Sequence, residues 1–130
     1  ITMFRMTVEG RFSAAHSLRG YPGPCCQLHG HNYLVQVRLE GEELDELGML
    51  VDYTNVKAAL IDALAPFDHQ YLNDLPDFVA VNPTSEALAR LLYSRVSERL
   101  FTREELRRRV RLTEVIVFEN ERQGVGYGEA

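Results

Sequence analysis

Two stretches of strict alternation constrain this chain more than any other feature. From Met6 to His16, Met6, Val8, Gly10, Phe12, Ala14 and His16 fall on one face, and Arg5, Thr7, Glu9, Arg11 and Ser13 on the other. From His29 to Glu40, His29, His31, Tyr33, Val35, Val37 and Leu39 oppose Gly30, Asn32, Leu34, Gln36, Arg38 and Glu40. Strand side chains alternate between faces, so each stretch predicts a half-buried strand with one apolar side. The intervening Ser17 to Leu28 carries two Gly, two Pro and the adjacent Cys25 and Cys26. It is too long for a tight hairpin turn, yet the strands can pair antiparallel around it.

The rest of the chain has room for one more pair of strands and two helices. After an acidic loop from Glu42 to Gly48, Val56, Ala59, Leu60, Ala63 and Leu64 recur at helical spacing, with Asp52 or Thr54 as cap and Pro66 as stop. Phe67 to Val81 has no sustained period and reads as an ordered loop. A second helix opens at Asn82-Pro83-Thr84-Ser85-Glu86, with Asn82 as cap and Pro83 in the first turn, and buries Leu88, Leu91, Leu92, Val96 and Leu100. A charged turn from Thr102 to Arg109, a strand from Val110 to Glu119 and a Gly-rich strand from Gln123 to Gly128 follow. The order β-β-α-α-β-β predicts an α+β chain with an antiparallel sheet and both helices on one face, a single domain over residues 1–130.

Fourteen basic against nineteen acidic residues, a net charge of −5, disfavour a nucleic-acid or anionic-membrane partner. No apolar run is long enough to span a bilayer and no charged-then-apolar leader opens the sequence. With two neighbouring cysteines and no disulfide framework, a reducing, cytoplasmic setting is expected.

Three of the four histidines stand where the two strands meet the loop. His29 and His31 share a face, and His16 ends the preceding strand on its apolar side. Antiparallel pairing brings three imidazoles together, the donor set of a catalytic zinc site with an open fourth position. Cys25 and Cys26 leave three readings open: a fourth metal ligand, a thiolate acting as base beside the metal, or small loop residues. Asp68-His69 can form a carboxylate-oriented proton shuttle. Glu119, closing an apolar strand, can accept paired hydrogen bonds from an amino-heterocycle. The run Arg107, Arg108, Arg109 and Arg111 reads as a solvated turn, with a phosphate-bearing ligand as the other use for such cations.

Taken together, these blocks resemble the 6-pyruvoyl-tetrahydropterin synthase family. Phe12-Ser13-Ala14-Ala15-His16 and the segment from Cys25 to Tyr33 (CCQLHGHNY) are similar to its zinc motif. Met49 to Tyr53, Phe67 to Asn73, Asn82 to Glu86, Val117-Phe118-Glu119 and Tyr127 continue the likeness in order. The resemblance implies the tunnelling fold (T-fold), whose subunits form trimers and commonly dimers of trimers with active sites at subunit interfaces. It implies one Zn2+ per subunit on His16, His29 and His31. It further implies Cys25 as catalytic thiol, His69 with Asp68 as proton relay, Glu119 as the acid that anchors the pterin and joins that relay, and Thr84 and Ser85 as lining of the pterin pocket. Cys26 matches nothing.

The spacing Cys25-x-x-x-His29 is most similar to the bacterial 6-carboxytetrahydropterin synthase branch, since the tetrahydrobiopterin branch typically sets the thiol further away. A folate-pathway branch carries Glu in this loop, which has no acid here. The activity implied is conversion of 7,8-dihydroneopterin triphosphate to 6-carboxy-5,6,7,8-tetrahydropterin, with release of acetaldehyde and triphosphate, in queuosine biosynthesis. Rival readings are the pyruvoyl-forming reaction on the same substrate, a zinc hydrolase, and a non-catalytic oligomeric module pinned by zinc. Asn120 stands where many relatives have Thr.

Overall fold

The computed structural model of the chain describes residues 2–130. The two alternating segments form the long strands β1 (Phe4–His16) and β2 (His29–Gly41), antiparallel from Phe4↔Gly41 to His16↔His29. Two helices, α1 (Tyr53–Leu64) and α2 (Ser85–Leu100), flank a two-residue strand β3 (Gln70–Tyr71). A short helix α3 (Glu104–Arg109) leads into β4 (Arg111–Phe118) and β5 (Gly124–Tyr127). The sheet order is β3-β1-β2-β4-β5. The expected antiparallel sheet is therefore mixed, because β3 runs parallel to β1 at Ala14 and Ala15. Two residues of strand inside an aperiodic loop leave no alternation to read.

Both long helices lie on one face of the sheet, as the alternation requires. Val8, Phe12, Ala14, Tyr33, Val35, Val37, Leu39, Val115 and Val117 meet Val56, Leu60, Leu64, Leu88, Leu92 and Val96 in one contiguous apolar cluster. Phe12 stacks on its cross-strand partner Tyr33 with centroids 4.7 Å apart. The opposite face is polar, with Glu9 accepting from Gln36, and Arg38 paired with Glu114. Gly10 is where α1 crosses β1: a Cβ there would stand 2.9 Å from Leu60 Cδ2 and 3.1 Å from Leu64 Cδ1. Gly10→Val is therefore expected to cost about 1–3 kcal/mol by overpacking. A denaturation midpoint equal to that of the wild type would mean that α1 does not seat on this glycine.

Helix ends follow local chemistry, with one correction. Asp52 caps α1, accepting from the Thr54 N–H, and the helix stops short of Pro66. The cap of α2 is Thr84 rather than Asn82: Thr84 Oγ1 accepts from the Ala87 N–H, while the Asn82 amide is engaged elsewhere.

The charged turn before β4 is also corrected, since it is helical. Glu104 and Glu105 pair with Arg108 and Arg109 one turn later, with acids in the first turn and bases in the last. Nor is Arg109 solvated, because its guanidinium donates to the Leu50 and Glu43 carbonyls. Asn120 builds the β4–β5 turn, its side-chain oxygen accepting from the Arg122 and Gln123 N–H groups.

Candidate metal centre and active site

The β1–β2 register sets His16 directly opposite His29, and places His31 opposite Ala14 on the same face. The three rings meet with centroids 4.5 to 5.0 Å apart. Among the described residues they form a group whose ligand atoms all lie within 4.8 Å of one another, and neither thiol belongs to it. The protonation pattern follows from the outer contacts. His16 Nδ1 donates to the Pro83 carbonyl at 2.8 Å, with the Tyr33 hydroxyl oxygen 3.3 Å away, and His29 Nδ1 donates to the Gln27 carbonyl at 2.8 Å. A carbonyl can only accept, so each ring carries a proton on Nδ1, and the neutral form of each presents its lone pair at Nε2. These two nitrogens face each other at 2.9 Å.

Two lone pairs held that close repel unless a proton or a metal cation lies between them. His31 Nε2 adds a third: it is buried and has no hydrogen-bond partner, with Glu119 Oε2 3.8 Å away. Burial lowers the His31 pKa, opposed by the Glu119 charge and reinforced by the other two imidazoles, so the neutral, ligating form prevails. The donor set fits a divalent metal. The carbonyls that orient His16 and His29 are the outer contacts such ligands require.

Glu119, just beyond β4, accepts from Ser85 Oγ at 3.1 Å, and Ser85 is buried in the first turn of α2. The sequence places these residues 34 apart; the sheet and α2 bring them together beside His31. Thr84, adjacent to them, has its hydroxyl oxygen committed to the helix cap. A cavity of about 690 Å3 opens here, lined by His31, Asn32, Glu119 and two arginines, Arg11 and Arg122. Sequence reasoning passed over both arginines. The only signal was that Arg11 lies on the outward face of β1. The run Arg107, Arg108, Arg109 and Arg111, read as a solvated turn with phosphate as its other use, lies elsewhere: Arg111 pairs with Glu40, at the far end of β2 from the histidines.

The Asp68–His69 pair is strapped to the edge of β1. The Ser13 N–H donates to Asp68 Oδ1 at 3.0 Å, and the Ser13 carbonyl accepts from the His69 N–H. This grip holds His69 at φ 59°, in the left-handed region. Its Nδ1 lies 3.0 Å from Asp68 Oδ1. The Ser13 bond, then the His69 ring, hold the Asp68 carboxyl below its ordinary pKa, so it is ionised at neutral pH. The His69 ring is 80% exposed and lines a second cleft with Ser13, Gly30, His31 and Tyr71. Cys25 is half-buried in a 3-10 turn, and Cys26 is exposed.

Comparison with known proteins agrees with this geometry. The family model of 6-pyruvoyl tetrahydropterin synthase matches residues 5–130. The 6-carboxy-5,6,7,8-tetrahydropterin synthase of Bacillus subtilis is 35% identical over 106 residues, covering 78% of this chain and 70% of the relative. The enzyme of the same name from Synechocystis is 38% identical over 96 residues, covering 69% and 72%. The structure of Caenorhabditis elegans 6-pyruvoyl tetrahydropterin synthase superposes with a TM-score of 0.84 at 26% identity, covering 100% of this chain and 98% of that one. No helix among the described residues is long and apolar enough to cross a membrane. A T-fold sheet backed by two helices, a three-histidine metal group and a likeness along nearly the whole chain agree: this chain is an enzyme of the 6-pyruvoyl tetrahydropterin synthase family.

Proposed function

We propose that the chain is a zinc-dependent lyase that converts 7,8-dihydroneopterin triphosphate to 6-carboxy-5,6,7,8-tetrahydropterin, releasing acetaldehyde and triphosphate, as a cytoplasmic step toward queuosine. The observation that carries this reading is the position of the open three-nitrogen metal group beside the Ser85–Glu119 pair. One wall thus offers ligands for side-chain oxygens and the next an acid for an amino-heterocycle. Names of the bacterial relatives support the carboxy product over the pyruvoyl one.

The residues divide the work by their chemistry. His16, His29 and His31 would hold Zn2+, which supplies Lewis-acid polarisation of the substrate's side-chain oxygens. Glu119, steadied by the Ser85 hydroxyl, accepts hydrogen bonds from the pterin ring, with Thr84 beside it. Cys25 as thiolate removes a side-chain proton. His69, oriented by ionised Asp68, returns one. Arg11 and Arg122, on the rim of the same cavity, are cations within reach of a phosphate tail.

Exposure of the relay supports a homo-oligomer, a trimer or dimer of trimers, whose sites are completed at subunit boundaries. So does the open edge of β1, which β3 covers only at Ala14 and Ala15.

Product analysis tests the proposal. Zinc-loaded protein incubated with dihydroneopterin triphosphate is expected to yield acetaldehyde and a carboxy-pterin. A pyruvoyl-pterin without acetaldehyde would move the chain to the tetrahydrobiopterin reaction. No turnover with zinc bound would leave a module in which the metal only pins the loop.

A further inference from the structure

The loop that carries Cys25 is held to the rest of the chain at very few points. Among the described residues, the hydrogen bonds that tie Ser17–Leu28 to the body of the protein fall on Ser17, Arg19 and Gln27. Two asparagines dominate them. Asn73 Oδ1 accepts from the Ser17 N–H at 2.9 Å, and its Nδ2 donates to the Ser17 carbonyl at 2.8 Å. Asn82 repeats the arrangement on Arg19, with both bonds at 2.9 Å. Each side chain thus acts as a bridge of β type on a single residue, using the acceptor oxygen and the donor nitrogen of one carboxamide. The Ser17 hydroxyl shares a further bond with Tyr71 at 2.8 Å, and the Arg19 guanidinium donates to the Phe78 and Val81 carbonyls.

Between the two clamped residues stands Leu18, whose N–H donates to the Cys25 carbonyl at 2.9 Å. The other backbone bonds around the thiols close turns within the loop, from Cys26 to Gly23 and from Gln27 to Pro24. His16, the buried imidazole of the metal group, immediately precedes this strap, and it donates to Pro83, the neighbour of Asn82. The metal group and the backbone of Cys25 are thereby referred to one short segment, pinned from both sides.

We propose that Asn73 and Asn82 are positioning residues for the thiol of Cys25, setting its place relative to the histidines through Ser17, Leu18 and Arg19. The proposal rests on the reading of Cys25 as a catalytic base, and it assigns neither asparagine a contact with substrate.

The test combines kinetics with a chemical probe of the thiol, in the zinc-loaded oligomer carrying Cys26→Ser. Asn73→Ala and Asn82→Ala are each expected to lower kcat roughly 10–100-fold with KM and metal content unchanged, the scale of a small misplacement of a catalytic group. Alkylation of Cys25 by iodoacetamide should at the same time become severalfold faster, because a half-buried thiol is released. In a Cys25→Ala background the same asparagine changes should lower kcat no further.

Wild-type kcat and alkylation rate in both variants would overturn the proposal. So would losses that follow metal content alone, or losses that add in full to those of Cys25→Ala. If Cys25→Ala keeps wild-type kcat, the base reading fails, and the alkylation rates alone decide whether the asparagines set the loop. Should an alanine variant not fold, Asn82→Asp carries the same comparison: it keeps the bond from the Arg19 N–H and loses the one to the Arg19 carbonyl.

Discussion

Cys25→Ala is expected to lower turnover of dihydroneopterin triphosphate by about 10²–10⁴-fold while the protein keeps its metal, the range spanned by loss of a general acid or base. The expectation comes from where the thiol is absent as much as from where it stands. The metal group consists of three imidazoles, and neither Cys25 nor Cys26 contributes an atom to it. A closed structural site would have drawn in a thiolate as fourth ligand, whereas three nitrogens with a free position are the arrangement of catalytic sites. The side chain is half-buried in a short turn, so its removal should leave the core untouched. Metal analysis beside the rate measurement decides the matter. Loss of metal with Cys25→Ala would mean that the thiol is a ligand after all, and an undiminished rate would place the base elsewhere.

Removal of the metal is expected to abolish activity and also to destabilise the fold. His16 and His29 bring their Nε2 atoms within 2.9 Å of each other, and the His31 Nε2 atom is buried without a partner. A metal ion joining the three nitrogens would give the orphaned His31 Nε2 its partner and tie both strands together. An ion that binds only the folded chain stabilises it by about 4 kcal/mol at a thousandfold excess over Kd. For a chain of this size that corresponds to a rise in Tm of roughly 10–20 °C. Thermal melts of chelator-treated protein with and without added Zn2+ measure this directly. His29→Ala should remove both the activity and the response to zinc. A Tm indifferent to zinc in the wild type would rule out the triad as its binding site.

Much of this was legible without coordinates, and the reasons are local. Alternation from Met6 and from His29 implies two strands with His16, His29 and His31 on the core side, because side-chain direction in a strand depends only on parity. The helical stripes at Val56 to Leu64 and Leu88 to Leu100 correspond to the buried faces of α1 and α2. Other features were not legible because they depend on partners distant in sequence. β3 pairs with β1 next to where Ser13 grips the Asp68 carboxylate and the His69 N–H. The α2 cap falls to Thr84 because Asn82 is drawn to Arg19, 63 residues away. The arginine run looked free, yet Arg109 is absorbed by carbonyls of the Glu43–Leu50 loop.

The sequence by itself determined on which side of β1 and β2 the three histidines lie. It did so because periodicity is a property of the backbone, indifferent to what packs against it. Tertiary structure alone decided where the His16 ring donates, to the Pro83 carbonyl 67 residues away. It also decided the meeting of Ser85 with Glu119 and the anchoring of the thiol loop by Asn73 and Asn82. Hydrogen bonds of that kind join groups tens of residues apart, and no local pattern in a chain records where its own distant carbonyls and amides will come to rest.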